Sequence, residues 1–143
     1  MNVDVDQLAK RLDAACPEAR FAFLFGSAKD GVVRPGSDID VGLYVDTPHD
    51  FDLYSRAMDA VAAVVPEAEP DISVVTMDSD VVLRFEILKG QKLFVRDMER
   101  YLDFFSLTCR EYEDQMADYE RQRRYRLNAA QMGLPPEWEC KNE

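Results

Sequence analysis

The sequence is poor in the residues that build zinc sites and disulfide frameworks. It has one histidine, His49, and three cysteines at wide spacing, Cys16, Cys109 and Cys140. None of them forms a Cys-x-x-Cys pair or a Cys/His cluster, so the sequence argues against a zinc site. An odd number of scattered thiols is typical of a protein whose cysteines stay reduced.

Long apolar runs are also missing. No segment approaches the roughly 20 apolar residues that a membrane-spanning helix needs. The first residues are acidic rather than basic and then apolar, so we expect no signal peptide. We therefore predict a cytoplasmic protein without a membrane contact.

Positive charge is scarce, with 17 Lys and Arg against 28 Asp and Glu and a net charge of −11. A protein that grips the nucleic-acid backbone needs a basic face, so this composition disfavours nucleic acid as a partner. An acidic protein that handles phosphates does so more readily through bound metal ions, which reverse the local charge. The arginines near the C-terminus follow an acidic stretch, and we interpret them as part of an ordinary charged helix: Arg121, Arg123, Arg124 and Arg126.

The residues that are present predict one α/β domain. A length of 143 residues with 47% hydrophobic residues suits a single soluble domain. Hydrophobic periodicity predicts strands at residues 21–25, 38–45, 71–77 and 93–95, and helices at residues 5–15, between Pro48 and Pro66, from about 79 to 88, and from 99 to 131. In the predicted strand at 38–45 the residues alternate between two faces. One face carries Ile39, Val41, Leu43 and Val45, and the opposite face carries Asp38, Asp40, Gly42 and Tyr44.

The helices carry predicted caps and inner faces. For the second helix the predicted inner face is Phe51, Tyr54, Met58, Val61 and Val65, with Asp50 or Asp52 as the cap. The predicted cap of the third helix is Asp78 or Ser79. In the long last helix, apolar residues recur every three or four positions: Leu102, Phe105, Cys109, Tyr112, Met116 and Tyr119. At about 1.5 Å per residue this helix runs roughly 45 Å, so burial and contact with another chain both remain open.

Residues 26–40, GSAKDGVVRPGSDID, have the composition of a phosphate and metal site. Gly26 lets a phosphate approach the backbone closely, and Ser27 adds a hydroxyl and an amide donor. Asp38 and Asp40 are two positions apart on a predicted strand, so both carboxylates project from the same face. Two such carboxylates do not easily both stay ionised unless a cation lies between them.

Magnesium suits this arrangement because it takes hard oxygen ligands and is usually completed by substrate phosphates. Asp71 opens a neighbouring predicted strand and can supply a third carboxylate. Two ions about 3.5–4 Å apart would then clamp the attacking and leaving oxygens of an in-line displacement.

The pattern Gly-Ser-x10-Asp-x-Asp with a later strand-borne aspartate resembles the minimal nucleotidyltransferases of the DNA polymerase β superfamily. Among these it is similar to the MntA-type antitoxins that are paired with HEPN-domain toxins. The resemblance implies a mixed sheet flanked by helices. It also implies that Asp38 and Asp40 hold two Mg²⁺ ions (or Mn²⁺) and that Asp71 completes the ligands of the catalytic ion. Gly26 and Ser27 would hold the triphosphate.

The sequence departs from the family's usual GSxARG at one position, where Asp30 replaces the arginine. Lys29 or Arg34 can take over as the basic partner of the triphosphate, and we also assign Ser37 to nucleotide binding. Both basic residues can equally be ordinary loop charges.

The resemblance implies that this chain is an antitoxin that transfers AMP from ATP to a hydroxyl of a partner HEPN toxin. The family suggests a tyrosine hydroxyl as the acceptor. The alternative is a catalytically weak or inactive antitoxin that neutralises its toxin by binding alone. Transfer to RNA ends or to a small antibiotic is less favoured. We predict a nucleotidyltransferase domain at residues 1–97, a helical extension at 98–132 that belongs to it or docks a partner, and a flexible tail at 133–143.

Overall fold

A computed structural model describes residues 2–34, 36–47 and 51–133. Its helices are α1 (Val5–Ala15), α2 (Phe51–Val64), α3 (Val81–Leu88) and α4 (Met98–Gln131), and its strands are β1 (Phe21–Phe25), β2 (Asp38–Tyr44), β3 (Glu69–Val75) and β4 (Gln91–Val95). The predicted order of elements and the α/β class are confirmed. The chain forms two compact units, Met1–Thr108 and Cys109–Glu143.

The four strands form one mixed sheet in the order β3-β2-β1-β4. β1 is antiparallel to both β2 and β4, whereas β2 and β3 are parallel. Because β2 and β3 run in the same direction and β1 runs against them, the starts of β2 and β3 lie beside the end of β1. This edge of the sheet brings together the motif at residues 26–40 and the start of β3.

The two faces of β2 are used as the alternation predicts. Ile39, Val41 and Leu43 are fully buried in a cluster that α1 and α2 cover. On the opposite face Tyr44 is buried with aromatic residues of β1 and α4, and its ring stacks on Phe21 with 4.8 Å between centroids. Asp38 and Asp40 share this second face at the open end of the strand.

The predicted inner face of α2 is confirmed at Val61 and Val65, which are buried, and is wrong at Phe51 and Met58. Phe51 is 79% exposed and Met58 is 42% exposed. The buried face instead consists of small and medium residues: Leu53, Ala57, Ala60 and Val61. Because α2 packs closely against α1 and β3, alanines fit this contact where larger side chains would hold the helices apart. Of the two predicted caps, Asp52 lies inside the helix and Asp50 lies outside the described residues.

The predicted caps of α3 are also wrong, because the cap is Asp80. Its carboxylate accepts the backbone N–H of Leu83 at 3.2 Å. The Ser79 hydroxyl oxygen instead accepts the N–H of Thr76 at 2.9 Å. Three cap-forming residues follow one another here, so composition alone does not select the position.

At the start of α4 the predicted buried stripe is displaced by one position. Tyr101, Phe104 and Thr108 are buried, whereas Leu102 is 53% exposed and Phe105 is 43% exposed. The Tyr101 and Phe104 rings make edge contacts with Phe21, with centroids 5.4 and 5.2 Å apart. Apolar residues occupy both sides of this turn, so helical spacing does not tell which side faces the sheet.

Arg96, directly after β4, connects that strand to the last turn of α1 and to the segment between α1 and β1. Its guanidinium donates to the Asp13 carboxylate at 2.6 Å and to the backbone oxygens of Asp13, Pro17 and Ala19 at 2.5–2.8 Å. It also lies over the Phe94 ring, 4.7 Å from the centroid. One side chain thus satisfies one carbonyl in the last turn of α1 and two carbonyls of the connection that follows it.

Across the described ranges, no helix combines the length and the apolarity that crossing a membrane requires.

Candidate active site

Three predicted site residues meet at the edge where β1 ends and β2 and β3 begin. Asp40 pairs with Phe25 of β1 on one side and with Asp71 of β3 on the other. Side chains of paired residues project from the same face of a sheet, about 5 Å apart. Asp38 lies two positions before Asp40 and therefore on the same face. Gly26 follows Phe25 directly, so the Gly-Ser element borders this carboxylate pair.

The carboxylates of Asp40 and Asp71 contact each other, and this affects their ionisation. The pKa of Asp40 is raised to about 6, chiefly by partial burial, and also by the hydrogen bond and negative charge of Asp71 and by the charge of Asp38. Asp38 and Asp71 are exposed. Near neutral pH, two carboxylates in this position are held close only at an electrostatic cost, which a cation between them would remove.

The raised pKa of Asp40 predicts a pH dependence of folding stability in the absence of divalent metal. The folded state holds the Asp40 proton more tightly than the unfolded chain, where the pKa is near 3.8. This contribution to the free energy of unfolding is therefore fully present below pH 4 and is lost as the pH rises through 6. Carboxyl NMR titration in a chelator should report Asp40 titrating near pH 6.

Asp71→Asn removes the neighbouring charge and leaves the burial, so the Asp40 pKa should move partly back towards its ordinary value. An Asp40 that titrates near pH 4 in both proteins would contradict the paired geometry.

Gly26 makes room for the Asp40 carboxylate. Its φ is +70°, in the left-handed region, and a Cβ at this position would lie 2.2 Å from Oδ2 of Asp40. The sequence predicts that glycine is needed here for a close approach of phosphate. In the structure the close neighbour is the carboxylate, so Gly26 also determines where Asp40 can lie.

Ser27 lies in a single 3₁₀ turn, Gly26–Ala28, directly after β1. Its side chain is exposed, whereas the next residue, Ala28, is buried and anchors the turn. The Ser27 hydroxyl and backbone amide are therefore at the surface beside the carboxylates. A hydroxyl and amide in that position can donate to a phosphate oxygen.

The loop between β1 and β2 contains the other predicted nucleotide ligands. Lys29 and Arg34 are exposed, and within the described residues neither makes an ion pair. Ser37 is half-buried, and its backbone N–H donates to the Arg34 carbonyl at 3.0 Å. The Asp30 carboxylate, which replaces the family's usual arginine, accepts the N–H of Val32 at 3.1 Å and so closes a turn of the loop.

The acids at this edge fit a magnesium ion better than a zinc ion. Across residues 2–34, 36–47 and 51–133, no three His, Cys, Asp or Glu side chains form a ready-made metal cage. Magnesium, however, is usually held by one or two carboxylates, with water and substrate phosphates completing its shell. Asp40 and Asp71, with Asp38 beside them, offer this kind of hard oxygen donor set.

Sequence reasoning missed a fourth acid at this edge, Glu69. It pairs with Asp38 in the same register that pairs Asp40 with Asp71. The signal is the repetition of acid-x-acid at the start of both strands, Asp38-Ile39-Asp40 and Glu69-Pro70-Asp71. The predicted strand begins at Asp71, whereas β3 begins two residues earlier, at Glu69.

The fold and this edge define a class of protein. The sequence profile described as Polymerase beta, Nucleotidyltransferase matches residues 7–99. The chain belongs to this family of nucleotidyltransferases. No curated protein matches it by sequence.

Solved structures of toxin–antitoxin complexes have a similar fold. A chain of the MntA-HpeT complex with two aspartates changed to glutamate has a TM-score of 0.68 at 18% identity, covering 83% of this chain and 94% of that one. A toxin–antitoxin with AMP-PNP gives 0.65 at 19% identity, with the same coverage. A complex of tri-AMPylated Shewanella oneidensis HEPN toxin with MNT antitoxin gives 0.60 at 18% identity, covering 82% and 90%. The predicted resemblance to MntA-type proteins is thereby confirmed for the fold.

Proposed function

We propose that this chain is a metal-dependent nucleotidyltransferase that moves AMP from ATP to a tyrosine hydroxyl of a HEPN-domain toxin, and that it acts as the antitoxin of that toxin. The observation that carries the proposal is the register of β2 and β3, which puts Asp40 beside Asp71 at the edge where Gly26 and Ser27 begin. Family membership supports nucleotidyl transfer. The AMPylated toxin and the AMP-PNP complex among the structural neighbours support the partner and the nucleotide.

In this proposal Asp38, Asp40 and Asp71 hold Mg²⁺, which would supply charge neutralisation at the phosphates and at the attacking oxygen. Ser27 donates to the phosphate oxygens. Lys29 and Arg34 follow it closely in sequence, and their exposed side chains can add positive charge beside the phosphates. The hydroxyl oxygen forms a bond to the α-phosphorus, the bond to pyrophosphate breaks, and the hydroxyl proton passes to the exposed carboxylate of Asp71.

A protein acceptor suits a small domain that has no second lobe around a small-molecule pocket. The first unit also offers exposed apolar side chains where its last helix begins. Met98, Leu102 and Phe105 recur at helical spacing and are 54%, 53% and 43% exposed. Side chains of this kind are typical anchors of protein interfaces, so we assign the docking of the toxin to them.

The proposal is tested by the intact mass of the partner. The HEPN toxin, incubated with this chain, ATP and Mg²⁺, is expected to gain the mass of one or more AMP groups. Ser27→Ala should slow the gain by ~10- to 1000-fold, because it removes a donor to the developing charge. Its melting temperature should be unchanged because the side chain is exposed.

Ser106→Ala, an exposed serine on α4, is the matched control and should transfer at the wild-type rate. If Ser27→Ala loses stability and activity together, the serine is structural.

A second candidate is an antitoxin that neutralises by contact alone. It is favoured by Asp30, which replaces the family's usual arginine and whose carboxylate accepts the N–H of Val32 within the loop. Full neutralisation of the toxin with no change in its mass, by wild type and Ser27→Ala alike, would replace the enzymatic proposal with this one. No observation favours RNA ends or an antibiotic as the acceptor.

A further inference from the structure

The part of α4 in the second unit, residues 109–131, has its charges sorted into two opposite halves. Residues 109–120 contain five acids and one arginine, and residues 121–131 contain four arginines and no acid. The two halves therefore carry net charges of −4 and +4. The family profile ends at residue 99, so this segment lies outside the part of the chain that the profile matches.

Contacts within the helix account for only part of this pattern. Arg121 pairs with Asp118, and Arg123 lies 3.7 Å from Glu120, both at the junction of the two halves. Glu113 and Arg124, farther from the junction, have no ion pair in the part of the chain that the structure describes. The helix dipole does not explain the order either, because its effect fades beyond the first and last turns.

One face of the same segment carries exposed apolar side chains. Met116, Tyr119 and Leu127 lie within about 80° of one another around the helix axis, at about 100° per residue. They are 36%, 55% and 55% exposed. Glu113 and Arg124 border this face on one side, three turns apart. A helix this exposed is marginally stable alone and gains most from packing its apolar face.

We infer that residues 109–131 pack antiparallel against the same residues of a second copy of this chain. The N-terminal half of this segment has a net charge of −4 and the C-terminal half a net charge of +4. An antiparallel second copy places its positive half beside the negative half, whereas a parallel copy would place like charges side by side. An antiparallel register that puts Glu113 opposite Arg124 of the second copy forms this ion pair twice. It also places the two-fold axis between Asp118 and Tyr119, so Tyr119 meets its counterpart at the centre and Met116 lies within one helical turn of Tyr119 of the second copy.

This inference does not rest on the proposed function, and its test uses the full chain without nucleotide or toxin. Sedimentation equilibrium over a concentration series should yield a reversible dimer that weakens as salt is added. Glu113→Arg and Arg124→Glu should each weaken dimerisation by ~10-fold, because each puts two like-charge contacts into the dimer. The double variant, with both charges exchanged, should restore wild-type affinity.

Asp114→Arg is the matched control, because Asp114 lies about 100° farther round the helix and outside the proposed contact. It should leave the dimer unchanged. Circular dichroism checks that each variant keeps its helix. A chain that stays monomeric at high concentration overturns the inference. So does a double variant that fails to restore a dimer lost in both single variants, and so does a segment that binds only the toxin.

Discussion

Changing Asp38 and Asp40 together to asparagine is expected to abolish the joint binding of Mg²⁺ and ATP. Asparagine keeps the size of the side chain but removes the negative charge that a hard cation requires. Loss of outer-shell partners alone costs metal sites 10–100-fold in affinity, so loss of two ligands should cost more than ~100-fold. Calorimetric titration of the metal with AMP-PNP measures this directly.

The same variant should gain stability when no metal is present. Burial and the neighbouring charges of Asp71 and Asp38 disfavour the ionised form of Asp40, so removing its charge removes a repulsion. The wild type should melt at a higher temperature when Mg²⁺ and nucleotide are added, because they bind only the folded state, and the variant should not respond.

A matched control is Asp6→Asn with Asp59→Asn, two exposed acids on α1 and α2. It changes the net charge equally and should bind as the wild type does. Equal binding by wild type and the Asp38/Asp40 variant would refute the site.

Gly26→Ala is expected to reduce transfer at least ~100-fold, because a displacement of about 1 Å in a reacting group costs that much. The added methyl would overlap Oδ2 of Asp40, at 2.2 Å from the ideal Cβ position. The carboxylate must then move or the turn must shift. The left-handed φ of +70° adds a penalty of about 1–2 kcal/mol in stability for any L residue.

Gly36→Ala separates the two effects. Gly36 lies in the same loop with a φ of +77°, and a Cβ there would meet nothing within 4 Å. It should lose about 1–2 kcal/mol of stability and keep its rate of transfer. Single-turnover rates together with urea unfolding distinguish these outcomes. Similar loss of activity in both variants would mean that the clash with Asp40 is not the cause.

The elements of the fold could be predicted from local periodicity because strands such as Phe21–Phe25 are short, apolar and bounded by turn residues. Which side of a helix is buried could not always be predicted. In α2 the large residues Phe51 and Met58 contribute more to a hydrophobic pattern than Ala57 and Ala60 do. The alanines are nevertheless the residues that are buried. In α4, Tyr101 and Leu102 are equally plausible core residues until the sheet is present.

The candidate site divides in the same way. The placement of Asp38 and Asp40 on one face follows from their spacing, which is a local property of a strand. The position of Asp71 beside Asp40 depends on the register between β2 and β3, and no local pattern encodes that register. The contact between Gly26 and Asp40 is equally non-local. The roles of these residues stay predictions until the variants above are measured.

Arg96 has a consequence for the synthesis of this protein. The groups that it binds, in the last turn of α1 and in the segment that follows, precede it by 77–83 residues. At about 5–20 residues per second, the ribosome needs roughly 4–16 s to add that length of chain. During this interval β1 also lacks β4 along one edge, and an unpaired edge is a template for association with other chains. The rate of translation between α1 and Arg96 therefore sets how long the nascent chain is exposed to aggregation and available to chaperones.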